Sequence, residues 1–315
     1  MLRILDKGNL TLDLEKFGIE PRAERELMEA VSNPYGMVLV TGPTGSGKTT
    51  TLYSALRELN DISSKLITAE DPVEYDIDGI IQCQINSSYE LTFGKILRSM
   101  LRQDPDTILV GEVRDKETAE IAIHASLTGH LVLSTIHTND AAGAVTRLVE
   151  MEIEPFLVRS SVIGILAQRL VRILCQQCKV PYRPTEYELL QLGLDPERLA
   201  RKARRKFSTR YAVHGKSYEF VGETMGEPVF HKPGGCDACM GKGFIGRRGI
   251  YELMVIDDAV GPLILKSADA QTIKRMAMSQ GMDTLRDDGA RKVLMGLTTV
   301  EEVLAASQED VIIDE

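Results

Sequence analysis

Residues 42–49 read GPTGSGKT, a glycine-rich turn closed by a lysine and a hydroxyl residue at G-x-x-x-x-G-K-[ST] spacing. An apolar run, MVLV, enters the turn and a helical pattern, TTTLYSALREL, leaves it, which is the context this chemistry requires. Glycines here let consecutive backbone N–H groups turn inward around a phosphate, and the following helix N-terminus adds a favourable dipole. The cradle runs through Gly42, Pro43, Thr44, Gly45, Ser46, Gly47, Lys48, Thr49 and Thr50. Lys48 is expected to reach the β- and γ-oxygens, and Thr49 to hold Mg²⁺ through its hydroxyl. The spacing therefore predicts binding of a nucleoside triphosphate, ATP or GTP.

Hydrolysis needs an acid at the end of another strand. The run TILVGE (107–112) supplies Glu112, with Gly111 where many phosphate-loop proteins carry an aspartate. A carboxylate there can polarise or deprotonate water, or hold Mg²⁺ through water. Glu70, Asp71 and Glu74 follow a second apolar run, and His137 follows a third. In an open parallel sheet the carboxyl ends of the strands line the ligand crevice, so these groups are expected to converge on one γ-phosphate. Arg98 and Arg102, four apart, share a helix face. Their expected role is to deliver guanidinium groups to phosphates, often from a neighbouring subunit; salt bridges within the fold are the alternative.

Four of the five cysteines form two CxxC pairs, Cys175 with Cys178 and Cys236 with Cys239, separated by 57 residues. Each pair bends the chain so that both thiolates face one point, and two pairs can surround Zn²⁺ tetrahedrally. With no fifth ligand signalled, a closed structural site is expected. Cys83 stands alone and reads as a small buried hydrophobe. GKGFIG (241–246) matches G-x-G-x-x-G but follows a cysteine knuckle instead of a strand, so its glycines are expected to serve turns.

These residues need a scaffold. Strands are predicted at 36–41, 65–69, 79–85, 107–112 and 130–136, and helices at 21–32, 48–59, 92–103, 115–127, 140–150 and 155–172. Near-continuous apolar strands alternating with helices predict an α/β fold with a mostly parallel sheet covered on both faces. The domains are expected at 1–7 (the last strand of a preceding domain), 8–172 (nucleotide-binding core), 173–250 (cysteine subdomain) and 251–315 (helical region ending in an acidic tail). The run RKARRK (201–206) reads as a solvated helix face. Over 315 residues, 37 Lys+Arg against 46 Asp+Glu give a net charge of −9. That argues against a protein coating DNA or lying on anionic lipid, each of which needs a basic footprint. At 43% hydrophobic the composition is globular. No apolar run reaches the roughly 18 residues that span a bilayer, and no secretory signal opens the chain, so a cytoplasmic location is expected.

Together the motifs resemble the secretion ATPase superfamily, in its branch of type II secretion and type IV pilus assembly ATPases. The resemblance runs from residue 2 to about 305. It rests on GPTGSGKTTTLY (42–53), TAEDPVEYDIDGI (68–80), LRQDPDTILVGEVRD (101–115), ASLTGHLVLSTIHTNDA (125–141) and LAQRLVRILCQQC (166–178). It implies a RecA-like P-loop core in a homo-hexameric ring that hydrolyses ATP with Mg²⁺. Such a ring would drive pseudopilus or pilus assembly through an inner-membrane platform protein. It would be held at the inner membrane by a docking partner of the N-terminal domain, with no specific nucleic acid. The family's atypical Walker B glutamate falls at Glu112, its aspartate box at Glu70, Asp71 and Glu74, its histidine box at His130 and His137, and its core arginines at Arg98 and Arg102. A phosphate-directed arginine falls at Arg3. The cysteine motif, which pilus retraction ATPases lack, disfavours retraction. GRRGIYELMVIDD (246–258), TLRDDG (284–289) and TTVEEVL (298–304) look closer to the type II secretion members. Because family members usually carry one or two N-terminal domains, the chain reads as a fragment.

Overall fold

The computed structural model describes residues 12–194, 207–213, 216–222 and 228–307. The expected strand at 2–5 with Arg3, the basic run 201–206 and the acidic tail lie outside the described residues.

A seven-stranded sheet organises the chain. Its strands are β1 (Gly36–Thr41), β2 (Leu66–Glu70), β3 (Ile81–Gln84), β4 (Thr107–Val110), β5 (Leu131–Ile136), β6 (Val162–Leu174) and β11 (Phe244–Val255). They stand in the order β11-β6-β1-β5-β4-β2-β3. From β6 to β3 every neighbouring pair is parallel. The backbone bonds Ile256 N–H to Ile163 O and Cys175 N–H to Gly243 O, at opposite ends of β6, make β11 antiparallel. Every residue of β1, β2, β4 and β5 is buried. Helices on both faces explain why these strands are buried along their whole length and mostly apolar instead of alternating.

The helices are α1 (Pro21–Val31), α2 (Lys48–Leu59), α3 (Phe93–Met100), α4 (Lys116–Leu127), α5 (Ala141–Glu150) and α6 (Pro155–Ser161). Side-chain caps start four of them: Glu20 accepts from the Arg22 and Ala23 amides, Thr92 from Lys95, Asp115 from Thr118 and Asp140 from Gly143. Each satisfies an amide that the first helical turn otherwise leaves unpaired.

The helix expected over 155–172 ends at Ser161, and a 13-residue strand begins at Val162. Helix and buried strand share a continuous apolar signature here, so periodicity alone does not separate them. What decides is pairing: Met37–Thr41 of β1 takes Val162–Ala167 as its parallel neighbour.

The chain divides into two compact units. One gathers Glu24–Ala167 and Leu253–Met282; the other holds Glu15–Ala23, Gln168–Glu252 and the described residues from Asp283 onward. In the first, α8 (Gly261–Leu265) and α9 (Ala270–Ser279) add Ile264 and Ile273 to the core formed around Leu39, Ile108 and Val132. Within that unit Lys274 of α9, almost fully buried, pairs at 3.1 Å with Asp140, the cap of α5.

The second unit contains the antiparallel pair β7 (Val180–Tyr182) and β10 (Phe230–Lys232), the hairpin β8 (Phe207–Val213) with β9 (Lys216–Gly222), and α7 (Glu186–Gln191). Helices α10 (Leu285–Leu294) and α11 (Val300–Ala306) complete it. A buried carboxylate, Asp288, is a hub of this unit. It accepts from Arg291 at 2.7 Å, from Lys292 and from the Tyr251 amide at 2.9 Å. Burial pushes the Lys292 ammonium down to about 8 against the pull of Asp288. Removing the shared anion strands the buried Lys292 ammonium and leaves Arg291 to its contact with Asp283, so Asp288→Ala is expected to cost about 3–5 kcal/mol of stability. Urea unfolding followed by circular dichroism measures it; a midpoint within error of the parent would contradict the assignment.

Candidate functional site

The phosphate loop begins where β1 ends. Gly42, Gly45 and Gly47 adopt positive φ, and Gly47, at +92°, is the left-handed residue that opens α2. Because it carries no side chain, it places no side-chain cap over the first turn of α2, and a helix N-terminus of this kind suits an anion. Lys48 Nζ donates to the carbonyls of Gly42 at 2.7 Å and Pro43 at 3.1 Å, so the ammonium lies along the loop. Thr49 follows in the first turn. A glycine turn exposed at Pro43, Thr44 and Gly45, a helix start without a side-chain cap and a lysine on the same loop fit a polyphosphate with its Mg²⁺.

Glu112 stands two residues past the end of β4. Gly111 N–H donates to Ala69 O at 2.8 Å, Thr135 Oγ1 to Gly111 O at 2.7 Å and Val113 N–H to Thr135 O at 2.9 Å, which fixes the backbone on both sides of the acid. A Cβ at Gly111 would stand 3.2 Å from the Ala69 carbonyl oxygen, a tight approach that a larger residue would have to relieve. The Glu112 carboxylate is buried, with His137 Nε2 at 3.4 Å and the Arg114 guanidinium in contact. Arg114 was not among the residues expected at the site. The signal for it was the spacing: in extended backbone, residues 112 and 114 point to the same side. β5 lies between β4 and β1, and strands are spaced by about 4.8 Å, so the roots of Glu112 and the phosphate loop are about 10 Å apart along one sheet edge. Thr138, next to His137, bonds Thr41 through its amide at 2.9 Å and its hydroxyl at 2.8 Å, joining the ends of β1 and β5.

The other expected residues are placed differently. Glu70 is buried and turned inward. Its carboxylate accepts from Tyr53 of α2, from Thr68 and from Gln82 Nε2, the last at 3.0 Å. Asp71 is exposed, and the Glu74 amide donates to the Tyr53 hydroxyl at 3.3 Å. His130 precedes β5 whereas His137 follows it, so a whole strand of about 20 Å separates them. His130 Nδ1 lies 3.0 Å from Ala125 O at the end of α4, away from the phosphate loop. Arg98 pairs with Glu117 of α4 at 2.7 Å. Arg102 is exposed just past α3, beside Gln103, whose carbonyl accepts from Lys65 ahead of β2. Within one chain, then, Lys48, Glu112 and His137 share the carboxyl edge of the sheet, and His130, Arg98 and Arg102 do not join Glu112.

The four cysteines do meet. Their sulfurs all lie within 4.8 Å of one another, with 3.8 Å between Cys175 and Cys236, Cys178 and Cys239, and Cys236 and Cys239. A tetrahedron with metal–sulfur bonds of about 2.3 Å has edges of about 3.8 Å, so the donor set fits Zn²⁺. Amides supply the outer layer: Gly235 N–H donates to Cys178 Sγ, Cys236 N–H and Gly243 N–H to Cys239 Sγ, at 3.1–3.2 Å. The Cys236 amide, aided by that of Gly243, holds the Cys239 thiol well below its ordinary range. Gly243 requires its residue type twice, through φ of +73° and because a Cβ would meet Pro233 at 2.4 Å.

Comparison with known proteins gives a consistent result. A family profile described as Type II/IV secretion system protein matches residues 1–305. The chain is 49% identical over 310 residues to the "Type II secretion system protein E" of Pseudomonas aeruginosa, covering 98% of this chain and 56% of that one. It is 45% identical to the "Type II secretion system ATPase E" of Vibrio cholerae, with the same coverages. It is 47% identical to the "Type IV pilus assembly ATPase PilB" of Myxococcus xanthus, covering 98% of this chain and 50% of the relative. The chain thus spans about half the length of these curated relatives. Among solved structures, the pilus retraction motor PilT with bound ADP superposes with a TM-score of 0.65 at 26% identity, over 98% of this chain and 70% of that one. A phosphate loop, a strand-end glutamate and a tetracysteine cluster in one chain are accounted for together: the chain belongs to the type II/IV secretion system protein family.

Proposed function

We propose that this chain is the ATP-hydrolysing core of a type II protein secretion motor, working as a homo-hexamer on the cytoplasmic face of the inner membrane. There it drives pseudopilus assembly through a platform protein. One observation carries the reading: the lysine-bearing loop and a buried, strand-end carboxylate lie on one sheet edge, in a chain 44–49% identical to proteins named for type II secretion. In this reading the backbone N–H groups of residues 44–50 and Lys48 bind the triphosphate, and Thr49 holds Mg²⁺, whose charge offsets that developing on the phosphoryl oxygens. Glu112 takes the proton of the attacking water, while His137 and Arg114 hold its carboxylate in place. Arg98 and Arg102 serve a neighbouring subunit in the ring. Cys175, Cys178, Cys236 and Cys239 hold a structural Zn²⁺. No described helix is long and apolar enough to cross a membrane; association with the membrane through partners is part of this proposal.

Pilus extension is the second reading, favoured by the 47% identity to the Myxococcus assembly ATPase. Gene deletion separates the two. Loss of exported proteins with intact surface motility supports the export motor, and the reverse supports pilus extension. Turnover by the purified chain is expected to be indifferent to DNA; stimulation by DNA would contradict both readings.

A further inference from the structure

Glu70 opens the acidic segment 70–77, yet its carboxylate is not available to a ligand. It is 3% exposed, and both oxygens are engaged, one by Tyr53 and the other by Thr68 and Gln82. Tyr53, 1% exposed, stands on α2, five residues beyond Lys48. Besides donating to Glu70, its hydroxyl accepts from the Glu74 amide at 3.3 Å and lies 3.5 Å from Gln82 Nε2. Burial, then the Glu70 carboxylate, pushes the phenol far above its ordinary range, so it stays a protonated donor.

Gln82, on β3, grips the same segment from the other side. Its Nε2 also donates to Tyr75 O at 3.0 Å, and its Oε1 accepts from the Ile77 amide at 2.8 Å. The Tyr75 ring meets that of Tyr53 edge to face, with centroids 6.3 Å apart. Two side chains from separate elements therefore satisfy the polar groups of one loop, and a satisfied buried network of this kind holds its members in a single arrangement.

We propose that Tyr53 is a positioning residue for nucleotide hydrolysis: its hydroxyl ties the helix that carries Lys48 to the acidic segment 70–77, with Glu70 as the anchor of that tie. The proposal rests on the hydrolytic reading of the site. It gives Glu70 a holding role and leaves direct contact with ligand to the more exposed part of the segment. A displacement of about 1 Å in such a segment suffices to slow a reaction up to about a hundredfold without abolishing binding.

The test uses Tyr53→Phe, which keeps the ring and removes the hydroxyl. Expected are a kcat lowered about 10- to 100-fold with KM for ATP within about threefold of the parent. Equal loss through KM, or an unchanged kcat, would overturn the proposal. In a cycle with Glu70→Gln, a double variant no slower than the slower single variant supports one shared bond, whereas multiplied losses would count against it. Hydrogen exchange gives a readout independent of turnover. The Glu74 amide is expected to exchange at least about tenfold faster in Tyr53→Phe with the rest of the sheet unchanged, and equal protection would refute the tie. A parent chain that hydrolyses no ATP would defeat the motor reading, while the exchange comparison still decides the role of Tyr53. Should Tyr53→Phe not fold, Gln82→Ala, from a half-buried edge position, carries the same kinetic expectation, with the faster exchange now expected at the Ile77 amide that Gln82 accepts from; an unchanged kcat and unchanged Ile77 protection would overturn the proposal.

Discussion

Glu112→Gln is expected to bind ATP as the parent chain does and to hydrolyse it about a hundred- to ten-thousandfold more slowly, the range contributed by a positioned general base. The substitution keeps the size of the side chain and the backbone bonds that Gly111 and Val113 make to β2 and β5, so the fold gives no reason for binding to change. Its chemistry changes at one point: an amide cannot accept the proton of an attacking water. Filter binding with a labelled nucleotide and single-turnover hydrolysis separate the two quantities. A variant as active as the parent would remove Glu112 from the reaction. A variant that no longer binds would mean that the carboxylate contributes to the ground state instead. The contact with Arg114 sharpens the experiment, because the same substitution deprives a half-exposed guanidinium of its anion at a cost expected to be under about 1 kcal/mol.

Metal removal is expected to have the largest effect on stability. Structural zinc bound by four thiolates contributes about 10–16 kcal/mol of apparent binding energy at neutral pH, and that energy is folding energy for the segment it closes. About one zinc per chain should be found by elemental analysis. Chelation, or Cys236→Ser, should open the segment 168–252 to proteolysis while the core built around Leu39 and Ile108 keeps its protection. The loop geometry makes this segment dependent on the ion. Gly234 approaches the Cys178 carbonyl so closely that a Cβ would lie 2.1 Å from it. A metal-free sample that resists proteolysis as the loaded one does would end the structural-zinc interpretation.

What the sequence made legible was local. Gly42, Gly47 and Lys48 announce the phosphate loop because backbone angle and side-chain reach are fixed within eight residues, and each CxxC is likewise a local bend. The meeting of the two cysteine pairs across 57 residues was legible through ligand count alone. Long-range partners were not. Glu70 follows an apolar strand as Glu112 follows another, and nothing nearby says that one is met by Tyr53 from α2 while the other faces His137. Arg98 pairs with Glu117, 19 positions on, because α3 and α4 lie side by side. The separation of His130 from His137 could have been read in advance, since six extended residues must carry them to opposite ends of β5. The strand Val162–Leu174 was hidden for the opposite reason: its partner β1 lies more than a hundred residues earlier, and local periodicity carries no trace of it.

The edge strand β3 has a consequence for handling the protein. It is four residues long, and its glutamines at 82 and 84 accept from the Ile77 and Val73 amides of the loop above. A short rim whose polar side chains are already engaged is a poor template for another chain, although Ile81 on it is half exposed. Replacing either glutamine by valine or isoleucine would turn that rim into an adhesive ribbon, and precipitation of such a variant would report intermolecular strand pairing.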